Sequence, residues 1–418
     1  MSDCRIVDVL AAPGVGAFFF DDQAAIKLGA RRDGFAILGE PLTVGFSSIR
    51  QPAEAVSVML RLSDGHVAYG DCVAVQYSGV GGRDPVLNAE ALAALLEDEV
   101  AGAIGGSPVE SFRQASDQID TLTRELPGFG SAAAYGLSQA LLAAAAHATG
   151  RSMARTIQAE WGLDLELRRV PVYAQCGEQR HLNVDKMIMR EVDSLPHGLI
   201  NSPSLVGAGG ETLVEYVSWV SRRIHELRRD PGYTPVLHFD VYGVLGVVME
   251  QRLEQIVDAL IRMEEAARPF ALRVEHPLDA GSRAGQIEQM TELRRLLQSA
   301  DSRVELVADE WANTIADIRE FNRAGAADMI QIKTPDLGGL HHTVDAVLDC
   351  RRHGVLAHVG GSCCETDRSA RACVHVALAT GADQILAKPG MGVDEGLSIV
   401  GNEMATTLRL ESACAPTR

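Results

Sequence analysis

Positive charge is what this chain has too little of. Its 418 residues hold 38 Lys and Arg against 56 Asp and Glu, a formal net charge of −18. No basic cluster offsets that balance, and so acidic a chain repels nucleic acid and anionic membrane. Cysteine is sparse as well. Cys4, Cys72, Cys176, Cys350, Cys363, Cys364, Cys373 and Cys414 form no CxxC pair and match no zinc-motif spacing. They are too few for a disulfide scaffold, which points to a reducing cytoplasm. No long apolar run goes uninterrupted. The stretch 131–148 is broken by Gly136, Gln139 and His147, so it reads as a buried helix rather than a membrane span. The N-terminus has Asp3 and Asp8 among its apolar residues and no basic region, so no secretory signal is expected there. Low-complexity linkers and short repeats are missing too. What remains is a chain that is 46% apolar and longer than one core usually serves, so two domains are expected.

Residues 1–165 read as α+β. Strand-like runs over 56–61 and 66–76 are joined by Ser63-Asp64-Gly65, a hairpin turn. A glycine-rich loop, 78–84, follows and reads as a mobile lid, with Gln76 just before it. It lacks the strand–GxGxxG–helix context and the lysine of a phosphate loop. Helical patterns then cover 88–103, 110–126 and 131–147. Strands first and helices afterwards suggest an antiparallel sheet backed by helices. From 166 to 418 the texture changes. Short apolar strands recur at 170–174, 199–200, 236–239, 271–274, 304–307, 329–332, 356–359 and 384–387, with crossover helices at 211–229, 250–267, 286–299 and 341–353. Eight strand–helix units in some 230 residues are close to the roughly 250 of a (β/α)8 barrel. The second strand is the weakest, because Pro196 and His197 crowd it.

Four consecutive runs of this half each lead to one ionisable residue: Asp240, Glu275, Asp309 and Lys333, spaced by 35, 34 and 24 residues. One strand plus a crossover helix takes about 30 residues or more, and barrel chemistry sits at the C-terminal strand ends. An acidic residue at a strand end is usually a helix cap or a solvated charge. Three in register on successive strands reverse that reading, since such a cluster repels itself strongly without a cation. Hard oxygen ligands suit a divalent ion such as Mg²⁺. Lys333 continues the register beside them, where a cation and desolvation would lower its pKa as a base requires. Gln331 shares its strand face. His197 falls near the end of strand two, which stands across a closed barrel from strand six. It could therefore face Lys333. Cys363-Cys364 reads as packing rather than redox chemistry, although Ser362 and Cys363 lie in a strand-end loop that substrate could reach.

These residues and the strings around them resemble the methylaspartate ammonia-lyases, a branch of the enolase superfamily. The similar stretches are 71–79 (Asp-Cys-Val-Ala-Val-Gln-Tyr-Ser-Gly), 184–188, 238–243 (His-Phe-Asp-Val-Tyr-Gly), 308–311 (Ala-Asp-Glu-Trp), 331–339, 388–392 (Lys-Pro-Gly-Met-Gly) and 394–396. The resemblance implies a modified (β/α)8 barrel with an N-terminal α+β capping domain, acting as a homodimer on a small amino acid. It implies Mg²⁺ on Asp240, Glu275 and Asp309, with K⁺ as an activator the family often uses. Lys333 would take the C3 proton of L-threo-3-methylaspartate, and His197 would handle the other C3 epimer. Gln331 would bind the metal-bound carboxylate. Gln76 and Gln175, helped by Ser362 and Cys363, would hold the amino group and the remaining carboxylate. Tyr173, His358 and Leu386 would complete the substrate wall. Ammonia and mesaconate would leave.

The chain departs from that pattern after strand seven, where His358-Val359-Gly360-Gly361-Ser362-Cys363-Cys364 stands in place of a run beginning with tyrosine and carrying threonine at the Ser362 position. Tyr173 also stands where phenylalanine is usual. A more polar wall near the substrate's methyl group is the expectation. Two other readings stay open on the residues alone. Two bases flanking one carbon equally suit an isomerase or dehydratase on this scaffold. The carboxylate trio alone suits a non-catalytic Mg²⁺-binding relative.

Overall fold

The structure, a computed structural model, describes residues 4–414. Asp3 and the side chain of Cys414 lie outside the described residues. The chain opens with a three-stranded antiparallel sheet in the order β1-β4-β5: β1 is Ile6–Asp21, β4 Arg50–Leu62 and β5 Val67–Val73. A small hairpin, β2 (Arg31–Asp33) with β3 (Ala36–Leu38), lies between β1 and β4 in the chain. The expected turn at Ser63-Asp64-Gly65 joins β4 to β5, closed by Leu62 N–H donating to His66 O at 2.8 Å. Sequence pattern missed β1, the longest strand. Pro13, Gly14 and Gly16 interrupt it, and an edge strand tolerates a proline that a central one would not.

Helices at Ala89–Ile104 (with one wide π turn), Phe112–Glu125 and Gly130–Thr149 match the expected ones to within a few residues. The last lies directly on β5. A Cβ at Gly70 would overlap the Gly136 carbonyl, so both glycines are needed for that approach. Gln139 completes the contact: Asp71 N–H donates to its Oε1 (3.0 Å), and its Nε2 donates to Asp71 O (3.1 Å).

Eight parallel strands then close into a barrel: β6 (Val172–Gly177), β7 (Ser194–Gly198), β8 (Val236–Asp240), β9 (Leu272–Glu275), β10 (Glu305–Ala308), β11 (Met329–Ile332), β12 (Leu356–Val359) and β13 (Gln384–Ala387). Two strands sit away from their expected places. β6 runs on to Gly177 rather than ending at Ala174. β7 lies before Leu199 and Ile200 rather than on them. Pro196 disguised it: the β6–β7 register is irregular there, while Ser194 and Leu195 pair regularly with Val236 and Leu237 of β8. The four expected crossover helices are present at Glu211–Leu227, Leu253–Ala267, Arg283–Ser299 and Leu340–His353.

One continuous apolar core runs from the N-terminal sheet and its helices through the barrel. The seven described cysteines are buried and form no disulfide with one another. No described helix is long and apolar enough to cross a membrane.

Candidate active site

The barrel's C-terminal mouth gathers the ionisable residues. Asp240 and Glu275 end β8 and β9 as paired neighbours, Asp309 follows β10, and Lys333 follows β11. All three carboxylates are buried. Each is followed within two residues by a non-glycine residue in the left-handed region: Tyr242 (φ 52°), His276 (φ 48°) and Trp311 (φ 70°). Such conformations cost energy and gather at functional sites. Finding one after each carboxylate marks these turns as shaped for placing ligand atoms.

The charges are out of balance. Burial, then Asp240 and Asp309, push the Glu275 carboxyl well above its usual range. Burial and Glu310 do the same to Asp309, with Lys333 and Arg83 opposing. Lys333 Nζ lies 2.8 Å from Asp309 Oδ1 and donates to Oδ2 at 2.9 Å. Burial pulls the lysine's pKa down, but Asp309 and Glu310 push it up and the net direction is upward. That differs from the expected lowering, because the side chains alone surround Lys333 with negative charge. A hard cation fits this place. It would find three buried carboxylates on consecutive strands, and the raised pKa values of Glu275 and Asp309 betray missing positive charge. His197, Asp240 and Glu275 bring ligand atoms within 4.8 Å of one another, while Asp309, engaged by Lys333, stands outside that group. The all-oxygen trio is the set a hard ion prefers, and His197 Nε2 stands 3.5 Å from Asp240 Oδ2 as a neighbour.

Supporting side chains gather around Glu275. Gln384 Nε2 donates to His238 Nδ1 (3.2 Å), so a neutral His238 carries its proton on Nε2, 2.9 Å from Glu275 Oε2. Burial holds that imidazole's pKa well below its usual value. Tyr173 stacks on His238 at 4.1 Å and donates its hydroxyl to His238 O (2.8 Å). Gln331 Nε2 donates to Glu275 Oε1 (3.3 Å), while its buried Oε1 has no partner among the described residues.

Most of the expected site residues meet in one cavity. Gln76, Gln175, His197, Asp240, Gln331, Lys333, Ser362, Cys363 and Leu386 line it. Gln76 is held by Asp21, which accepts from its Nε2 at 2.9 Å and is itself clamped by Arg50 through two 2.7 Å bonds. Gln175 spends its amide hydrogens on Ala387 O and Gly390 O (3.2 and 3.1 Å), leaving its carbonyl oxygen for a ligand. Two expected wall residues do not reach the cavity. Tyr173 and His358 are buried beneath it, their rings 5.6 Å apart, and they back His238 and His197. The expected polar wall at the methyl group thus loses His358 and keeps Ser362.

Sequence reading missed Arg83, Tyr77, Tyr242 and Met391, which also line the cavity. Arg83 lies in the 78–84 loop with its side chain buried. Its Nε donates to Asp336 Oδ2 (2.7 Å), and Nη1 stands 3.7 Å from Glu310 Oε1. Asn313 Nδ2 also holds Gly81 O (2.6 Å). The loop read as a mobile lid is therefore strapped down at the mouth. Its arginine was visible, but nothing local said it would be buried.

A second group, Asp120 with His341 and His342, lies away from the mouth. Both Nε2 atoms approach Asp120 Oδ1 (3.0 and 3.3 Å), and His342 Nδ1 meets Leu337 O (3.2 Å). Hydrogen bonding accounts for that cluster.

Residues 4–162 match the family profile described as methylaspartate ammonia-lyase N-terminus, and residues 164–413 match its C-terminal counterpart. The chain is 51% identical to methylaspartate ammonia-lyase 1 of Carboxydothermus hydrogenoformans over 97% of each chain. Its fold is similar to a solved structure of Citrobacter amalonaticus methylaspartate ammonia lyase containing (2S,3S)-3-methylaspartic acid, with TM-score 0.95 and 47% identity, covering 98% of this chain and 100% of that one. It is also similar to the Mg-complex of beta-methylaspartase from Clostridium tetanomorphum, with TM-score 0.91 and 45% identity, covering 98% and 99%.

Proposed function

The chain belongs to the methylaspartate ammonia-lyase family, and from that premise we propose that it removes ammonia from L-threo-3-methylaspartate to give mesaconate, with Mg²⁺ held by Asp240, Glu275 and Asp309. One observation carries the reading: Lys333 and His197, from β11 and β7, line the same cavity as Asp240 of the carboxylate trio. When bound, Mg²⁺ supplies positive charge against the substrate carboxylate that gains negative charge as C3 loses its proton, and against the carboxylates that hold Lys333 protonated.

The rest falls to the chain's own side chains. Lys333 Nζ takes the C3 proton of the threo epimer, and the electron pair of that C–H bond becomes the C2–C3 double bond as the C2–N bond breaks. His197 does the same from the facing strand for the erythro epimer. Gln331, which gives one Nε2 hydrogen to Glu275 Oε1, donates the other to the reacting carboxylate. Gln175, with only its carbonyl oxygen left, accepts from the substrate ammonium. Gln76, Ser362 and Cys363 hold the other carboxylate, and Leu386 borders the methyl group. Incubation with Mg²⁺ and threo-3-methylaspartate should release mesaconate and ammonia in equal amounts. No product in the presence of Mg²⁺ overturns the reading.

The same reading includes a cap over 1–165 on a barrel domain over 166–418, a homodimer, a cytoplasmic setting and activation by K⁺. The family resemblance supports the dimer and K⁺. Sedimentation and a K⁺ titration of the rate test them.

A further inference from the structure

Behind the cavity wall lies an ion pair that the reaction does not use. Lys388 follows β13 and is wholly buried, 2.8 Å from Glu365 Oε1. Its Nζ also donates to Gly360 O (2.6 Å) and Thr334 Oγ1 (3.0 Å), with Cys373 Sγ at 3.3 Å. Glu365 Oε1 accepts in addition from Ser362 N–H (3.1 Å). Its Oε2 accepts from Tyr135 of the cap helix Gly130–Thr149 (2.7 Å) and from Ser369 (2.8 Å). The pair thus grips the loop on both sides of Gly361: the cation holds the carbonyl before it, and the anion holds the amide after it. Gly361 has φ +136°, and a Cβ there would overlap both Glu365 Oε1 and Lys388 Nζ. Gly361, Ser362 and Cys363 line the cavity, whereas Lys388 and Glu365 do not.

We propose that Lys388 and Glu365 are positioning residues for substrate binding: together they fix the 360–363 loop so that Ser362 and Cys363 meet the substrate carboxylate that the metal does not hold. The proposal rests on the substrate reading above. A buried ion pair is weak evidence for stability, because apolar residues of similar volume often serve as well. Here the pair does something an apolar pair cannot. It satisfies one carbonyl and one amide of a loop that must stand in a single conformation. Thr334, next to the base Lys333, and Tyr135 tie that loop to the catalytic strand and to the cap.

The test uses the full chain with Mg²⁺. Lys388→Met alone leaves a buried carboxylate unpaired and is expected to fold poorly. The working variant is therefore Lys388→Met with Glu365→Leu, in which neither charge is stranded. Glu365→Gln, which keeps an acceptor oxygen in place, is the second. In the double variant the thermal midpoint should return towards that of the native chain. Hydrogen exchange of the 362–365 amides should still be faster, and KM for threo-3-methylaspartate should rise about ten- to a hundredfold, the scale of losing one charged hydrogen bond. The saturated rate of C3 deuterium exchange should stay within a few-fold. Glu365→Gln should fall between the native chain and the double variant on both loop exchange and KM. A double variant with native loop exchange overturns the proposal. So does one whose loop exchange rises while KM stays native, because the clamp would then serve the fold alone. Failure of the substrate reading looks different: the native chain would form no mesaconate, while loop exchange would still report on the clamp.

Discussion

Lys333 and Lys388 each stand just past the end of a barrel strand, each 2.8 Å from a carboxylate oxygen, Lys388 wholly buried and Lys333 nearly so. Their surroundings divide them. Lys333 lines an open cavity with Asp309, Glu310 and Asp336 around it against Arg83 alone, and Gln331 Oε1 and His197 Nδ1 have no partners among the described residues. Lys388 sits in a closed network where Gly360, Thr334, Glu365 and Cys373 take up its donors. Buried polar groups without partners are costly. A protein keeps them where a ligand or a reacting atom will complete them, and saturates the network where it needs only a fixed shape. The same residue type, with the same kind of partner on the same barrel face, is poised in one place and locked in the other.

Changing the poised lysine should have the largest effect. Lys333→Ala should keep the fold and lose roughly 10²–10⁴-fold or more in threo-3-methylaspartate turnover and C3 exchange, the usual worth of a general base. Near-native turnover would place the base elsewhere and end the contrast. The partner comes next. Chelation should stop turnover and added Mg²⁺ restore it. Asp309→Asn should weaken Mg²⁺ affinity by more than the roughly 10- to 100-fold that losing an outer partner costs, as a metal titration would read. Full activity in excess chelator would show the carboxylates to be structural.

His197 sharpens the comparison by splitting the two faces of the substrate. His197→Ala should cost about 10²-fold on the erythro epimer and much less on the threo epimer, measured as two separate kcat/KM values. Equal losses would mean that both epimers use one base. The smallest effect is expected on the locked side. Tyr135→Phe removes one hydroxyl from Glu365 Oε2 and leaves Ser369 on it. It should destabilise by about 1.5–3 kcal/mol in denaturant melts, with turnover nearly native. A large loss of rate with unchanged stability would make that network part of the chemistry.

Asp240, Glu275, Asp309 and Lys333 were legible in the sequence because each ends a short apolar run, and runs repeating at βα spacing stack into one mouth. His197 was half legible. Pro196 hid its strand, yet barrel closure still set it across from β11. Tyr173 and His358 misled, because a residue on an inward-facing strand can end below the cavity as easily as in its wall. Tyr173 stops on the His238 ring and shapes the site through Glu275 instead. Arg83 and Arg50 gave no signal at all. Their burial depends on Asp336 and Asp21, which lie 253 and 29 residues away in the chain.

Alternation and spacing, both local, were enough to determine the eight-fold βα repeat, the α+β region before it, and the line of carboxylates that ends in a lysine. Hydrogen-bond partners distant in sequence are set by closure of the barrel and by docking of the cap. Only the tertiary structure, therefore, decided that Lys388 would meet Glu365 and Tyr135, that the 78–84 loop would be tied down through Arg83, and that β1 would exist despite its proline. Local pattern fixes which face a residue takes, and the path of the whole chain fixes what waits there.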